Sequence, residues 1–166
     1  MHRRLTFFAI LVVTLLLQLT VSPEISIGTV KPDFILVATI CWALVEGPGQ
    51  GALFGFCGGL LEDIFSTAVL GVSALTKTII GYFSGELRQR IISKSVVWPM
   101  IIVFFGTILA EMSKFAAWTI IGLEDRPAFS IGVIAGVALY NALFTLLIYP
   151  LIGRFAGRDE KALMFQ

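Results

Sequence analysis

The stretch that decides the fold is FSIGVIAGVALYNALFTLLIYPLI, residues 129–152. It contains no Asp, Glu, Lys, Arg or His, and as an α-helix it extends about 36 Å at a rise of about 1.5 Å per residue. The hydrocarbon core of a bilayer is about 30 Å thick. The sequence therefore predicts a membrane-spanning helix here.

The composition of the whole chain is also that of a membrane protein. Of its 166 residues, 57% are hydrophobic and 14% are charged, whereas about 25% of the residues of soluble domains are charged. The mean hydropathy is +0.93. Apolar runs of about 15 to 25 residues alternate with short polar connections, a pattern typical of polytopic helical membrane proteins. No connection is long enough to hold a soluble domain.

The apolar runs predict one all-α membrane domain, residues 1–166, with six transmembrane helices. The predicted spans are 5–21, 33–46, 51–69, 71–87, 96–122 and 129–152. The first run resembles a signal peptide, but Val21-Ser22-Pro23 offers no small-residue cleavage site, so we expect it to remain as a helix. The second run is short, and the sequence leaves open whether it crosses fully or forms a re-entrant hairpin with the third.

The basic residues predict the orientation of these spans. With both termini in the cytoplasm, eight Lys and Arg residues flank the cytoplasmic ends of the spans and two lie outside, which satisfies the positive-inside rule. The inside set is Arg3, Arg4, Arg88, Arg90, Lys94, Arg154, Arg158 and Lys161, and the outside set is Lys31 and Arg126. We therefore expect a multi-pass protein with two cytoplasmic termini.

Several classes of function are excluded by the same composition. The formal net charge of +1 argues against nucleic-acid binding. The single histidine, His2, lies at the N-terminus, where it cannot complete a catalytic triad or a metal site. Cys41 and Cys57 fall inside apolar runs and are interpreted as small core residues rather than a disulfide. We expect no enzyme activity, no cofactor and no metal.

Five ionisable side chains lie inside the predicted spans, where an unpaired charge costs about 2.5 to 3.5 kcal/mol. They are Glu62, Asp63, Lys77, Glu111 and Lys114. Counting about 1.5 Å per residue places all five in the extracytoplasmic half of the membrane. One interpretation is a pair of structural ion pairs, Asp63 with Lys77 and Glu111 with Lys114. The alternatives are recognition of a partner's polar residue and binding of a small ligand.

Glycines at four-residue spacing form a second intramembrane feature. Gly51, Gly55 and Gly59 give the third span a face of small residues, and such faces let helices approach closely in lipid. The face serves either packing within the chain or docking of a partner's helix. The three tryptophans are interpreted as anchors at the membrane–water interface, Trp42 less readily than the other two.

Residues 31–90 carry a combination of motifs that is typical of one family. Lys31-Pro32-Asp33 leads into an aliphatic run with Trp42, and a glycine-rich turn then leads into Gly51, Gly55, Gly59 and Asp63. Leu70-Gly71 opens the next span, which closes with Gly81-Tyr82, Gly85 and Arg88-Gln89-Arg90. This combination resembles the bacterial rod shape-determining protein MreD family.

The resemblance implies a non-enzymatic component of the machinery for cell elongation and peptidoglycan synthesis in the bacterial cytoplasmic (inner) membrane. It implies binding to the bitopic protein MreC and, through it, association with MreB, the glycosyltransferase RodA and a class B penicillin-binding protein. The family is also similar in architecture to the substrate-binding subunits of energy-coupling-factor vitamin transporters, which gives the alternative function. A vitamin site needs more polar and aromatic ligands than Asn141, Tyr82 and Tyr140 offer, so the shape-determining function is favoured.

Overall fold

Six helices make up the computed structural model, which describes residues 2–66, 69–88, 95–122 and 130–156. They are α1 (His2–Leu16), α2 (Phe34–Glu46), α3 (Pro48–Phe65), α4 (Val72–Leu87), α5 (Val97–Ile121) and α6 (Ile131–Phe155). α1 continues through a π-helical segment, Leu17–Val21, and one further turn, Ser22–Glu24. The prediction of an all-α protein is confirmed for the described ranges.

Three of these helices are long and apolar enough to cross a membrane. They are α1 with its continuation (Arg4–Glu24), α5 and α6. Helix α2 is apolar but has only 13 residues, or about 20 Å of helix, and α3 and α4 have 18 and 16 residues. The chain therefore has the make-up of an integral membrane protein, whereas the count of six crossings stays a prediction.

Helix α2 lies at the centre of the protein. It contacts each of the other five helices, and every residue from Phe34 to Val45 is buried. A helix that is apolar on all sides is stable only when apolar material surrounds it, and here that material is mostly protein. Because its neighbours shield it, α2 does not have to match the thickness of a bilayer.

Two residues define the ends of α2. The carboxylate of Asp33 accepts a hydrogen bond from the N–H of Leu36 at 2.8 Å, which satisfies one of the free donors of the first helical turn. At the other end Gly47 has φ +99°, a conformation that favours glycine. Pro48 starts α3 immediately afterwards, where its missing N–H costs no helical hydrogen bond. α2 and α3 are thus joined by a tight turn.

The extended end of α1 is fastened to the start of α2. Within the π-helical segment, the Gln18 Oε1 atom accepts a hydrogen bond from the N–H of Phe34 at 2.8 Å. Ser22 Oγ donates to the carbonyl oxygen of Pro32 at 2.8 Å. These bonds satisfy backbone groups beside the first turn of α2 and fix the position of Asp33.

The glycine face of α3 packs against α4. Gly51 packs against Gly81, Gly55 packs against Lys77, and Gly59 packs against Ala74. A Cβ atom added to Gly59 would lie 2.6 Å from Ala74 Cα, well inside normal van der Waals contact. The face is therefore buried within the chain, as the packing interpretation predicted. The docking interpretation is wrong for this face because α4 already occupies it.

Trp42 lies in the core rather than at a membrane interface. It is fully buried, with its ring centroid 5.8 Å from that of Phe7 and 5.9 Å from that of Phe54. Its interpretation as an interface anchor is wrong because the helix that carries it is surrounded by protein. Trp98, near the start of α5, is 50% exposed, as an interface residue would be.

Part of the predicted topology rests on residues outside the described ranges, namely Arg90, Lys94, Arg126, Arg158, Lys161 and Phe129. Among the described basic residues, Arg4, Arg88 and Arg154 are exposed at helix ends. Both cysteines are free thiols, one buried and one partly buried, in agreement with their interpretation.

Candidate functional site

A buried network of charges surrounds the start of α2. Lys77 on α4 is 1% exposed, and its Nζ atom donates a hydrogen bond to Asp33 Oδ2 at 2.7 Å. The same Nζ atom also donates to Glu62 on α3. One ammonium group therefore joins carboxylates from α2 and α3 to α4.

A second ammonium group extends the network to α5. Lys114 Nζ lies 3.0 Å from Glu111 Oε1, one helical turn away, as the three-residue spacing predicted. It also lies 3.7 Å from Asp33 Oδ2. Asp33 therefore contacts both lysines. We call this set the ion cluster; its members are Asp33, Glu62, Lys77, Glu111 and Lys114.

Asp63 has a different role from the one that its depth suggested. Its carboxylate accepts hydrogen bonds from the backbone N–H groups of Gly71, Ser73 and Ala74 at 2.8, 3.3 and 3.2 Å. These donors belong to the first turn of α4, where backbone N–H groups have no partner within the helix and the helix dipole favours a negative charge. The predicted pairing of Asp63 with Lys77 is wrong: Asp63 caps α4, and Lys77 pairs with Asp33 and Glu62.

Two residues at the site were not predicted as members of a cluster. In the sequence, Asp33 is only the first residue of the predicted second span, 33–46. Asn141 is fully buried; its Oδ1 accepts from the Asp33 N–H at 2.8 Å and its Nδ2 donates to Thr107 Oγ1 at 3.1 Å. The signal that could have found Asn141 is an amide side chain inside an otherwise apolar span, because such residues bond between helices.

The ion cluster is buried at its centre and partly exposed at its rim. The side chains of Lys77 and Asp33 are 1% and 5% exposed, whereas those of Lys114 and Glu111 are 23% and 25% exposed. Three carboxylates face two ammonium groups, so the fully ionised cluster has one excess negative charge. Among the described residues, no three His, Cys, Asp or Glu side chains are placed to hold a metal ion. The arrangement can hold four helices in register, and its rim can meet a further positive charge.

Two apolar grooves lie on the outside of the helices. The α4–α5 groove has a volume of about 420 Å³, and its lining includes Ser113, Ala116 and Ala117. The α1–α6 groove has a volume of about 320 Å³ and is lined by residues of α1 between Leu5 and Leu17 and of α6 between Ile148 and Phe155. In a bilayer such grooves take acyl chains or apolar helices, since both offer dispersion contacts.

Comparison with known proteins gives one family. The sequence matches the family model for the rod shape-determining protein MreD over residues 1–156. This range includes all six described helices, the ion cluster and both grooves. No solved structure matches the chain.

Proposed function

The chain belongs to the rod shape-determining protein MreD family, and from this premise we propose that it is a non-enzymatic component of the bacterial cell-elongation machinery. A role in rod shape determination follows from membership of the family. In our proposal this role is assembly: the protein holds other components together at the membrane and converts no substrate. The observation that carries the proposal is the family match along residues 1–156.

The proposed direct partner is a bitopic protein of the MreC type. Through it the chain would be associated with MreB, RodA and a class B penicillin-binding protein in peptidoglycan synthesis. Because α4 covers the glycine face of α3, a partner's helix has to use the outward faces. These faces are apolar, as with Phe105 on α5 and Leu147 on α6, which are 64% and 69% exposed.

The proposed location is the bacterial cytoplasmic (inner) membrane, with six crossings and both termini in the cytoplasm. The excess of basic residues at the predicted cytoplasmic ends supports this orientation. Among them, Arg4 begins the apolar part of α1, and Arg88 and Arg154 lie at the ends of α4 and α6. The short helices α2 and α4 are compatible with crossing because they pack against other helices of the chain.

The role proposed for the ion cluster is to hold the helices in register. Both ammonium groups and all three carboxylates of the cluster have an ionic partner within the chain. A vitamin-binding subunit would instead need polar groups directed at a ligand. The partners found for Lys77, Lys114 and Asn141 therefore favour the assembly function over the transporter alternative.

Depletion in a rod-shaped bacterium tests the proposed function. Cells that lose the protein should become round, and expression of the wild-type chain should restore rods. Growth medium supplemented with vitamins provides the control, because a transport defect would be corrected by supplementation and a shape defect would not. A vitamin-uptake defect in cells of normal shape would overturn the proposal.

Site-specific photo-crosslinking tests the proposed partner. A photoreactive phenylalanine analogue at Phe105, at Leu147 and at further exposed positions on each helix should crosslink to the MreC-type protein from at least one face. The same analogue at Phe54, which is fully buried, is the matched control and should give no crosslink. Absence of a crosslink from every exposed face, in a chain that still restores rod shape, would contradict direct binding.

A further inference from the structure

Two exposed arginines each come directly before a residue that lines the α1–α6 groove. Arg4 directly precedes Leu5, and Arg154 directly precedes Phe155, and both of these apolar residues line the groove. Both arginine side chains are exposed. Within the described ranges, no hydrogen bond or ion pair engages either guanidinium group.

The direction of the two helices places these arginines at the same end of the helix pair. Tyr140 Oη, in the first half of α6, donates a hydrogen bond to the carbonyl oxygen of Ile25, just beyond the extended end of α1, at 2.9 Å. The end of α1 therefore lies beside the beginning of α6, so the two helices are antiparallel. It follows that Leu5 and Phe155 line the same end of the groove.

Along its α1 wall the groove is about as long as one leaflet of a bilayer is thick, whereas its α6 wall, Ile148 to Phe155, rises about 10 Å. From Leu5 to Leu17, both of which line it, α1 rises about 18 Å at about 1.5 Å per residue. Half of a hydrocarbon core of about 30 Å is about 15 Å. An acyl chain that enters at the arginine end can therefore lie along the whole groove, with its headgroup at the level of the two guanidinium groups.

We propose that the α1–α6 groove binds an anionic phospholipid, with an acyl chain in the groove and the phosphate on Arg4 and Arg154. Guanidinium groups bind phosphate oxygens through paired, charge-assisted hydrogen bonds. Basic sites between transmembrane helices on the cytoplasmic side are typical sites for anionic headgroups. The groove wall supplies the apolar contacts, including those of Val13 and Leu151.

The α4–α5 groove is a comparison for the role that the two arginines have beside the α1–α6 groove. It is also apolar and is of similar size, but the residues next to its ends along the chain, such as Gly71 and Ile121, are uncharged. Within the described ranges, the ends of this groove therefore have no basic residue that corresponds to Arg4 and Arg154. The contrast between the two grooves favours a charged lipid over a partner's helix as the occupant of the α1–α6 groove.

Lipid retention by the purified protein tests the proposal without reference to the proposed function, because no partner protein is present. The chain is extracted from bacterial membranes in mild detergent, and bound lipid is identified by native mass spectrometry. We expect phosphatidylglycerol or cardiolipin to be enriched over phosphatidylethanolamine. The double variant Arg4→Gln/Arg154→Gln should lower this retention about thirtyfold, since two basic contacts of about 1 kcal/mol each amount to about 2 kcal/mol.

Matched variants test whether lipid retention depends on these two arginines rather than on any exposed arginine. They also test whether retention depends on an open α1–α6 groove. Arg88→Gln removes one exposed arginine elsewhere and should retain lipid as the wild type does. Ala9→Phe fills the α1–α6 groove and should lower retention, whereas Ala116→Phe fills the α4–α5 groove and should not. If the glutamine variant does not fold, the Arg4→Lys/Arg154→Lys variant, which keeps the charge, should retain most of the anionic lipid.

Three results would overturn the proposal. The first is a wild-type protein with no enrichment of anionic lipid, and the second is equal loss in the Arg88→Gln variant. The third is a photoreactive residue at Val13 that crosslinks in membranes to another protein's helix and not to lipid. Enrichment that depends on both arginines and on an open groove would support it.

Discussion

Replacing Lys77 with methionine tests whether the ion cluster has the connections described above. The substitution keeps an unbranched side chain and removes an ammonium group that contacts Asp33 at 2.7 Å and also contacts Glu62. Because Lys77 is 1% exposed, water cannot replace it. Three carboxylates then face the single ammonium group of Lys114, and the excess charge of the ionised cluster grows from one to two.

The expected loss of stability in Lys77→Met follows from the burial of the ion pairs that Lys77 makes. Removing one partner of a buried ion pair costs about 3 to 5 kcal/mol, because the other partner stays buried without compensation. Adding Glu62→Gln removes one of the uncompensated carboxylates and returns the excess charge to one. The double variant should therefore lose less stability than the sum of the two single variants, with a coupling energy of about 1 to 3 kcal/mol.

Asp63 provides the matched control, because it is adjacent to Glu62 in sequence and has the same charge. Its carboxylate bonds to the first turn of α4 and not to the ammonium group. Asp63→Asn should weaken this cap by about 1 kcal/mol, and its effect should add to that of Lys77→Met. A double-mutant cycle with each carboxylate compares the two couplings directly.

The cycles are measured as free energies of unfolding of the purified protein in mixed detergent micelles, with increasing dodecyl sulfate as the denaturant and tryptophan fluorescence as the signal. A coupling of Lys77 to Asp63 that equals or exceeds its coupling to Glu62 would refute the reasoning. Strictly additive effects of Lys77→Met and Glu62→Gln would refute it as well.

Three further predictions concern packing, a buried amide and topology. Gly55→Leu should abolish the folded protein in size-exclusion chromatography, because the new side chain would meet the backbone of α4. Gly49→Leu should be tolerated, because no described atom beyond its own helical turn lies within 4 Å of its Cβ position. Equal yields would contradict this. Asn141→Leu should lower the free energy of unfolding by about 1 to 3 kcal/mol, because the buried N–H of Asp33 loses its acceptor. An unchanged free energy of unfolding would show that this hydrogen bond does not stabilise the protein. Thr29→Cys should react with a membrane-impermeant maleimide in spheroplasts, and Gln50→Cys should react only after lysis. Both positions are exposed, and they lie on opposite sides of the membrane in the proposed topology. The reverse labelling would show that the topology is inverted.

The sequence can predict how far along its helix each charged residue lies but not the direction in which its side chain points. Distance along a helix follows from residue number at about 1.5 Å per residue, and on that basis Asp63 was paired with Lys77, whereas the partner on α3 is Glu62. Direction around the helix depends on packing, and neighbouring residues point about 100° apart. Glu62 faces the ammonium group and Asp63 faces the start of α4. No count along the chain distinguishes these two carboxylates.

The sequence pattern could not predict the central position of α2 either. A helix that is apolar on every side has the same pattern whether lipid or protein surrounds it, so the burial of Trp42 could not be read from its run. The membrane class and the family were predictable, because they depend on the total apolar content and on local motifs. The one available hint about α2 was its shortness, since a helix of 13 residues suits an interior position better than a lipid-facing one.

The burial of α2 has a consequence for biogenesis. The ribosome completes this helix before it makes most of the residues that will enclose it: Lys77, Lys114 and Asn141 all follow Asp33 by more than 40 residues. During synthesis α2 is therefore in contact with the translocon or with lipid, and its aspartate is without the partners that it has in the finished protein. A nascent chain that stops after α4 leaves α2 without the covering that α5 and α6 provide, and we expect membrane proteases to degrade such a chain.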